Sequence, residues 1–383
     1  MNDSTHQDLD LGDAVTAPQI VEALLRRTLE RGASDLHLLP TREGLQVEWR
    51  VDGVVQRLGL IDRDVANNVT TRLKVLAGLL TYETNKPQEG RLRAEGLDRP
   101  MRISTLPTVF GERIVARVLS EDGGELLRLG DLTLPKGVAD TLSQALAATS
   151  GAVLIVGPSG SGKTTTAYAC LREIQSRWGG GRSVVTLEDP VEVVLPGVAQ
   201  SQANPDAGYD LATALRSLVR QDPDVLFVGE MRDAEAARIA YQAAMTGQLL
   251  LTTLHATDAA TAIARLLDMG APPYLVRGAT RAIVAQRLLR KVCECRQGDA
   301  ALPDCPRCDG VGYDGRLAIA ESIDLADTAL ARSIDSGYDR ARFNEERRAA
   351  QSATLMDQAA KLVHAGLTDQ LEVDRVLGWE VGP

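Results

Sequence analysis

The chain has 383 residues, of which 44% are apolar and 25% charged, and a net charge of −10. That length exceeds what one core usually holds, so two domains are expected, and the acidic balance argues against a broad nucleic-acid surface. No apolar run approaches the ~18 residues of a membrane-spanning helix, and the first 25 residues carry acids but no Lys or Arg where a secretory leader needs a basic start, which predicts a cytoplasmic protein.

Residues 1–17 are acidic and polar and read as a disordered tail. From Pro18 onward Ile20, Val21, Leu24, Leu25 and Leu29 fall on one face of a helix. Residues 35–39 read as a strand. Leu45, Val47, Trp49 and Val51 alternate with polar residues, and Asp52-Gly53 is a hairpin turn into Val54 and Val55. A helix over 65–80 and strands over 101–106 and 113–119 complete a small α+β domain at 18–120. Residues 121–130 read as a linker, opened by Glu121-Asp122-Gly123-Gly124. Residues 131–383 form a second domain. Apolar strands at 152–156, 183–187, 225–229 and 249–253 alternate there with helices, which predicts a parallel sheet covered on both faces. The segment 322–383 reads as helices.

The strand at 152–156 runs into Gly157, Pro158, Ser159, Gly160, Ser161, Gly162, Lys163 and Thr164, and a helix follows from Thr165. G-x-x-x-x-G-K-[ST] between strand and helix is a Walker A phosphate loop. Its glycines let backbone N–H groups turn toward phosphate oxygens, Lys163 reaches the β- and γ-phosphates, and the Thr164 hydroxyl ligates Mg²⁺. A nucleoside triphosphate, ATP, is the expected ligand.

Three further strands end in polar chemistry, where a ligand sits in an open α/β sheet. The first leads into Glu188-Asp189-Pro190, and Glu188 would hold Mg²⁺ through water or polarise the attacking water. The second leads into Gly229-Glu230, a Walker B pattern with glycine at the usual place of the metal-binding aspartate; Glu230 is the candidate to orient and deprotonate water. The third ends at His255, placed to sense the γ-phosphate. Farther on, Cys293-x-Cys295 and Cys305-x-x-Cys308 have the spacing of a tetrathiolate zinc site. Cys170, on the helix after the phosphate loop, is expected in the core.

These segments together resemble the secretion ATPase superfamily in its GspE/PilB branch, the motors of type II secretion and type IV pilus assembly. The small domain contributes Ala33-Ser34-Asp35-Leu36-His37, Arg50-Val51-Asp52-Gly53, Pro87-Gln88-Glu89-Gly90-Arg91 and Arg102-Ile103-Ser104-Thr105-Leu106-Pro107. The second domain adds the phosphate loop, Glu188-Asp189-Pro190, residues 218–224, Gly229-Glu230 and the His box around Thr252 to His255. The resemblance implies a RecA-like P-loop ATPase domain preceded by a PAS-like α+β domain, assembled as a homo-hexamer. It implies that arginines of the small domain, here Arg91, Arg102 and Arg113, reach the phosphates when that domain closes. It implies an inserted tetracysteine zinc element at 291–316, which favours the assembly or secretion branch over pilus retraction. The implied partners are an inner-membrane platform protein and a membrane-anchored protein with a cytoplasmic domain, so the chain would sit peripherally at the inner membrane; no nucleic acid is expected.

Departures from the pattern are Gln248, where the family often has a second histidine, the C-x-C first cysteine pair, and only about 17 residues before the small domain where many assembly ATPases carry a docking region. That last feature motivates an alternative: a non-hydrolysing, nucleotide-binding adaptor of a related hexamer. A retraction or conjugative motor is the alternative within the family.

Overall fold

The computed structural model describes residues 14, 16–92, 97, 99–119, 127–296, 298, 300–303, 305–326, 329–335, 337–349 and 353–378. Most of the expected acidic tail, and 121–126 of the expected linker, lie outside the described residues. The chain divides into two compact units, Met1–Gly124 and Glu125–Pro383.

Unit 1 contains α1 (Ala17–Glu30), β1 (Asp35–Pro40), β2 (Gly44–Val51), β3 (Val54–Asp62), α2 (Arg63–Leu76), β4 (Gln88–Leu92), β5 (Met101–Thr108) and β6 (Gly111–Val118). The strands form an antiparallel sheet in the order β3-β2-β1-β6-β5-β4. Alternation turns Leu36, Leu38, Val47, Ile103 and Ile114 to one face, where they pack with Ile20 and Leu24 of α1 and Val69 and Leu73 of α2. Helix α1 begins where Thr16 and Gln19 cap each other, the Thr16 N–H donating to Gln19 Oε1 at 3.1 Å. Helix α2 stops short of the expected residue 80 because Gly78 takes φ +70° and the Leu79 N–H turns back to the Lys74 carbonyl at 2.8 Å. Strand β4 was invisible to periodicity. Its Gly90 is required by closeness, since a Cβ there would lie 2.3 Å from the Ala77 carbonyl oxygen.

Unit 2 contains α3 (Lys136–Leu146), β7 (Gly151–Val156), α4 (Lys163–Trp178), β8 (Val184–Glu188), β9 (Ala199–Gln202), α5 (Leu211–Leu218), β10 (Val225–Val228), α6 (Ala234–Met245), β11 (Leu249–Leu254), α7 (Ala259–Asp268), α8 (Pro273–Ala279), β12 (Thr280–Val292), β13 (Tyr313–Asp324), α9 (Ala329–Arg332), α10 (Arg340–Ala349), α11 (Leu355–His364) and α12 (Gln370–Leu377). The sheet order is β13-β12-β7-β11-β10-β8-β9. Every residue of β7, β10 and β11 is buried. Ala152, Leu154 and Val156 pack toward α6, α7 and α8, and Val153 and Ile155 toward α3 and α4. An apolar run without alternation is what a strand covered on both faces requires.

The structure corrects three expectations. The sheet is mixed, because β13 pairs antiparallel with β12. Residues 322–324 belong to β13, so the C-terminal helices begin at Ala329 rather than 322. The hairpin was hard to see because Gln286, Arg287 and Glu321 interrupt its apolar pattern yet are at most 3% exposed. Leu129, inside the expected linker at 121–130, is buried with Val138 and Leu142.

Helices α11 and α12 pack on the β12–β13 hairpin through Leu355, Ala359, Val373 and Leu377 against Leu289 and Ile319. Glu372 is fully buried there and accepts from the Arg290 N–H and Nε, both at 2.9 Å, and from Arg375 Nε at 2.7 Å. Burial opposes its charge, but the donors on Arg375 and Arg290 outweigh burial and hold the carboxyl below its usual range. Glu372→Ala leaves a largely buried guanidinium without its partner and is expected to cost about 3 kcal/mol, read as a lowered midpoint in thermal denaturation.

Candidate active site

Strands β7, β11, β10 and β8 run parallel side by side and end at one edge of the sheet. The phosphate-loop segment leaves β7 there, His255 leaves β11, Glu230 leaves β10, and Glu188 closes β8. That edge is where parallel sheets hold ligands.

The loop's shape follows from its glycines. Gly160 and Gly162 have φ of +75° and +86°, which L side chains disfavour. A Cβ at Gly157 would stand 2.6 Å from the Gln286 carbonyl oxygen. Lys163 opens α4 at 8% exposure, and its ammonium donates to the carbonyls of Gly157 and Pro158 at 2.9 Å each. Burial pushes the Lys163 pKa below the ordinary lysine value; Glu230 opposes that shift and Arg287 adds to it. The buried Ser161 Oγ has no hydrogen-bond partner among the described residues. Pro158, Ser159, Gly160, Thr164 and Thr165 are exposed. A partnerless hydroxyl, a buried ammonium and a helix N-terminus facing one exposed loop are donors suited to an anion.

The acids lie farther along the same edge, past β11. Glu188 is 3% exposed and well satisfied: it accepts from Tyr168 Oη, from Thr186 Oγ1 at 2.6 Å and from Gln200 Nε2 at 3.1 Å. Burial, then its bond to Glu188, pushes the Tyr168 phenol above its usual pKa. Gly229 stands against Glu188, for a side chain at 229 would meet Glu188 Cγ at 3.5 Å. Glu230 is less enclosed. Its Oε1 lies 2.8 Å from His255 Nε2, and its Oε2 accepts from Arg232 Nε at 2.7 Å, with the ion-paired Nη2 at the same distance. His255 is therefore brought to Glu230, the candidate base. Thr253 Oγ1 donates to the Gly229 carbonyl at 2.5 Å and fixes the turn that carries Glu230.

Sequence reasoning missed Tyr168, Gln286 and Arg287. Thr166 Oγ1 donates to Gln286 Oε1 at 2.8 Å, and Arg287 Nη2 donates to the Thr257 carbonyl at 2.7 Å, so β12 braces the loop from the side. Nothing flagged Gln286 and Arg287 because β12 itself was not predicted, and Tyr168 sits among the apolar positions of α4, where it reads as core.

Unit 1 holds the three candidate arginines. Arg91 and Arg102 face each other across β4 and β5, and Arg102 pairs with Glu89. The same row continues through Arg117 to Asp35 and Arg50. Arg117 Nε donates to the buried Asp35 at 2.8 Å. Arg113 stands in another row, opposite Leu106, and its buried Nε has no partner among the described residues. Arg117, passed over in the sequence, is thus the third arginine aligned with Arg91 and Arg102.

The cysteines gather at the tip of the β12–β13 hairpin. Their four sulfurs lie within 4.8 Å of one another, close enough to hold one metal ion. Cys293 and Cys305 are 3.9 Å apart and Cys295 and Cys308 3.5 Å. Backbone N–H groups of Arg307 and Cys308 lower the Cys305 thiol pKa, while burial and the neighbouring thiols raise that of Cys295. Cys170 is fully buried in α4. Among the described residues no helix is long and apolar enough to cross a membrane.

Known proteins are similar to this chain. The type II secretion system protein HxcR of Pseudomonas aeruginosa is 37% identical over 96% of this chain and 79% of its own length. The type II secretion system ATPase E of Vibrio cholerae is 35% identical over 96% of this chain and 76% of its own length. The type IV pilus assembly ATPase PilB of Thermus thermophilus is 36% identical over 94% of this chain, but only 43% of its own length is matched. The Legionella pneumophila ATPase DotB has the same fold, with a TM-score of 0.72 at 19% identity over 96% of this chain and 97% of that one. A model of the family described as type II/IV secretion system protein matches residues 10–375, nearly the whole length, and the chain belongs to that family.

Proposed function

We propose that the chain is a Mg²⁺-dependent ATPase motor that drives pseudopilus or pilus assembly, or protein export, from the cytoplasmic face of an inner membrane. The observation that carries the reading is the meeting, at one sheet edge, of an anion-ready glycine loop with Glu230 and His255. Membership of the type II/IV secretion system protein family and the similarity to secretion and pilus-assembly ATPases support it. Unit 2 is read as a RecA-like ATPase domain and unit 1 as a PAS-like domain, with Arg91, Arg102 and Arg113 as its candidate arginines. Working as a homo-hexamer on a membrane platform protein belongs to the same reading.

In the proposed reaction Glu230 accepts a proton from water, the water oxygen attacks the γ-phosphorus, and the bond from that phosphorus to the β–γ bridging oxygen breaks, leaving ADP and phosphate. His255 holds one oxygen of Glu230 and fixes its direction. Lys163 and the Ser161 hydroxyl receive phosphate oxygens. Thr164, with Glu188 through water, would hold Mg²⁺, which when bound neutralises charge on the phosphates. Phosphate release by the purified protein supplied with MgATP tests the reading. Nucleotide retention without turnover would favour the adaptor reading instead.

The cysteine cluster is proposed to hold structural Zn²⁺. Zinc–sulfur bonds of about 2.3 Å in a tetrahedron put sulfurs about 3.8 Å apart, and the Cys293–Cys305 and Cys295–Cys308 separations, 3.9 and 3.5 Å, bracket that. Zinc would fix a loop whose buried residues are chiefly the cysteines themselves. Purified protein is expected to carry about one zinc per chain, and Cys305→Ser to lose it and expose 293–312 to limited proteolysis. Absence of zinc from freshly purified protein would reopen the retraction reading.

A further inference from the structure

Arg232 lies two residues beyond Glu230, with Met231 between them turned into the core at 2% exposure. That alternation puts the Glu230 and Arg232 side chains on one side of the chain. Arg232 then does more than pair with its neighbour. Its Nε and Nη2 both reach Glu230 Oε2 at 2.7 Å, while its Nη1 reaches Asp189 Oδ2 at 3.3 Å. Asp189 follows β8 and Glu230 follows β10, adjacent parallel strands. One guanidinium therefore ties the ends of two strands together through their carboxylates. His255 holds the other oxygen of Glu230.

We propose that Arg232 is a positioning residue for ATP hydrolysis: anchored on Asp189, it sets the direction of the Glu230 carboxylate toward water. This rests on the reading of Glu230 as the base. The case is geometric. A side chain that is 21% exposed and follows the last strand residue has rotamer freedom, and a general base must hold its oxygen within hydrogen-bond reach of the reacting water. His255 alone fixes one oxygen and leaves the carboxylate plane free to turn. The Arg232 Nε–H bond to the second oxygen, with the charged Nη2 close beside it, removes that freedom, and Nη1 on Asp189 anchors the guanidinium of a side chain that is otherwise 58% exposed. Exposed ion pairs add little to stability, so the arrangement serves orientation rather than folding. In this role Arg232 takes no proton; it acts only through Glu230.

Arg232→Ala, Asp189→Asn, the double variant and Glu230→Gln are compared with the parent chain by steady-state phosphate release and by binding of a fluorescent ATP analogue. Arg232→Ala is expected to lower kcat by about tenfold or more, with analogue affinity within about threefold of the parent. Added guanidinium chloride at tens of millimolar is expected to restore part of that kcat where equal sodium chloride does not, a response that a merely structural role would not give. Asp189→Asn is expected to lower kcat less, and the double variant to be no slower than Arg232→Ala, because both act through one contact. An Arg232→Ala kcat within twofold of the parent, absence of guanidinium rescue, or additive losses in the double variant overturn the proposal. Glu230→Gln separates the two layers. If it is inactive while Arg232→Ala turns over normally, only the positioning role falls; if it turns over normally, the base assignment falls and the positioning role with it.

Discussion

Glu230→Gln is expected to lower ATP turnover by about 10²–10³-fold while leaving ATP affinity within about threefold. The size follows from what the substitution removes. A carboxylate takes a proton from water as the water attacks; an amide has nearly the same shape and no comparable basicity. The surroundings should tolerate it. The amide oxygen can face Arg232, which donates to Oε2 at 2.7 Å, and the amide nitrogen can face His255 Nε2, 2.8 Å from Oε1, with the imidazole in the tautomer that accepts. Fold and loop geometry are then unchanged, and the loss falls on kcat. Glu188 cannot readily replace Glu230, because it is buried and accepts from Tyr168, Thr186 and Gln200. Single-turnover phosphate release with a parallel binding measurement checks this. Turnover within tenfold of the parent would assign the base to another group.

The sequence made four of the parallel strands, β7, β8, β10 and β11, legible because each is a short apolar run ending in a glycine, an acid or a histidine, and burial on both faces allows no other pattern; β9, polar and half exposed, carries no such signal. The phosphate loop was legible because its spacing is forced: Gly157 has no room for a Cβ, and Gly160 and Gly162 need positive φ. Glu230 and His255 were legible as strand-end residues, but their pairing was not, since it comes from β10 and β11 lying side by side. The β12–β13 hairpin stayed hidden because Gln286, Arg287 and Glu321 look like surface residues. Their partners are remote in sequence: Thr166 for Gln286, Thr257 for Arg287, and Arg347 for Glu321 at 2.5 Å. Arg117 was passed over for a related reason. Alignment with Arg91 and Arg102 is a property of strand register, and register is set by pairing rather than by any one strand.

Lys163→Ala should remove nucleotide binding, with affinity for MgATP falling by about 10²-fold or more in titration calorimetry. The ammonium is the cation placed inside the loop, and its two carbonyl contacts, to Gly157 and Pro158 at 2.9 Å, hold the loop's own backbone in register. Truncation takes away the charge and leaves two carbonyls without their donor, so the loop loses both attraction and shape. The pH dependence gives an independent check. Burial lowers the Lys163 pKa, so the ammonium gives up its proton at lower pH than an ordinary lysine. Only the protonated form attracts phosphate. MgATP affinity should therefore fall as pH rises through that lowered value, earlier than unperturbed lysine chemistry would allow, and Lys163→Ala should abolish that part of the pH dependence. Bound phosphate favours the protonated form, so proton uptake on binding at alkaline pH should be measurable as a buffer-dependent heat. If Lys163→Ala binds MgATP as tightly as the parent, the glycine loop is not where the triphosphate sits.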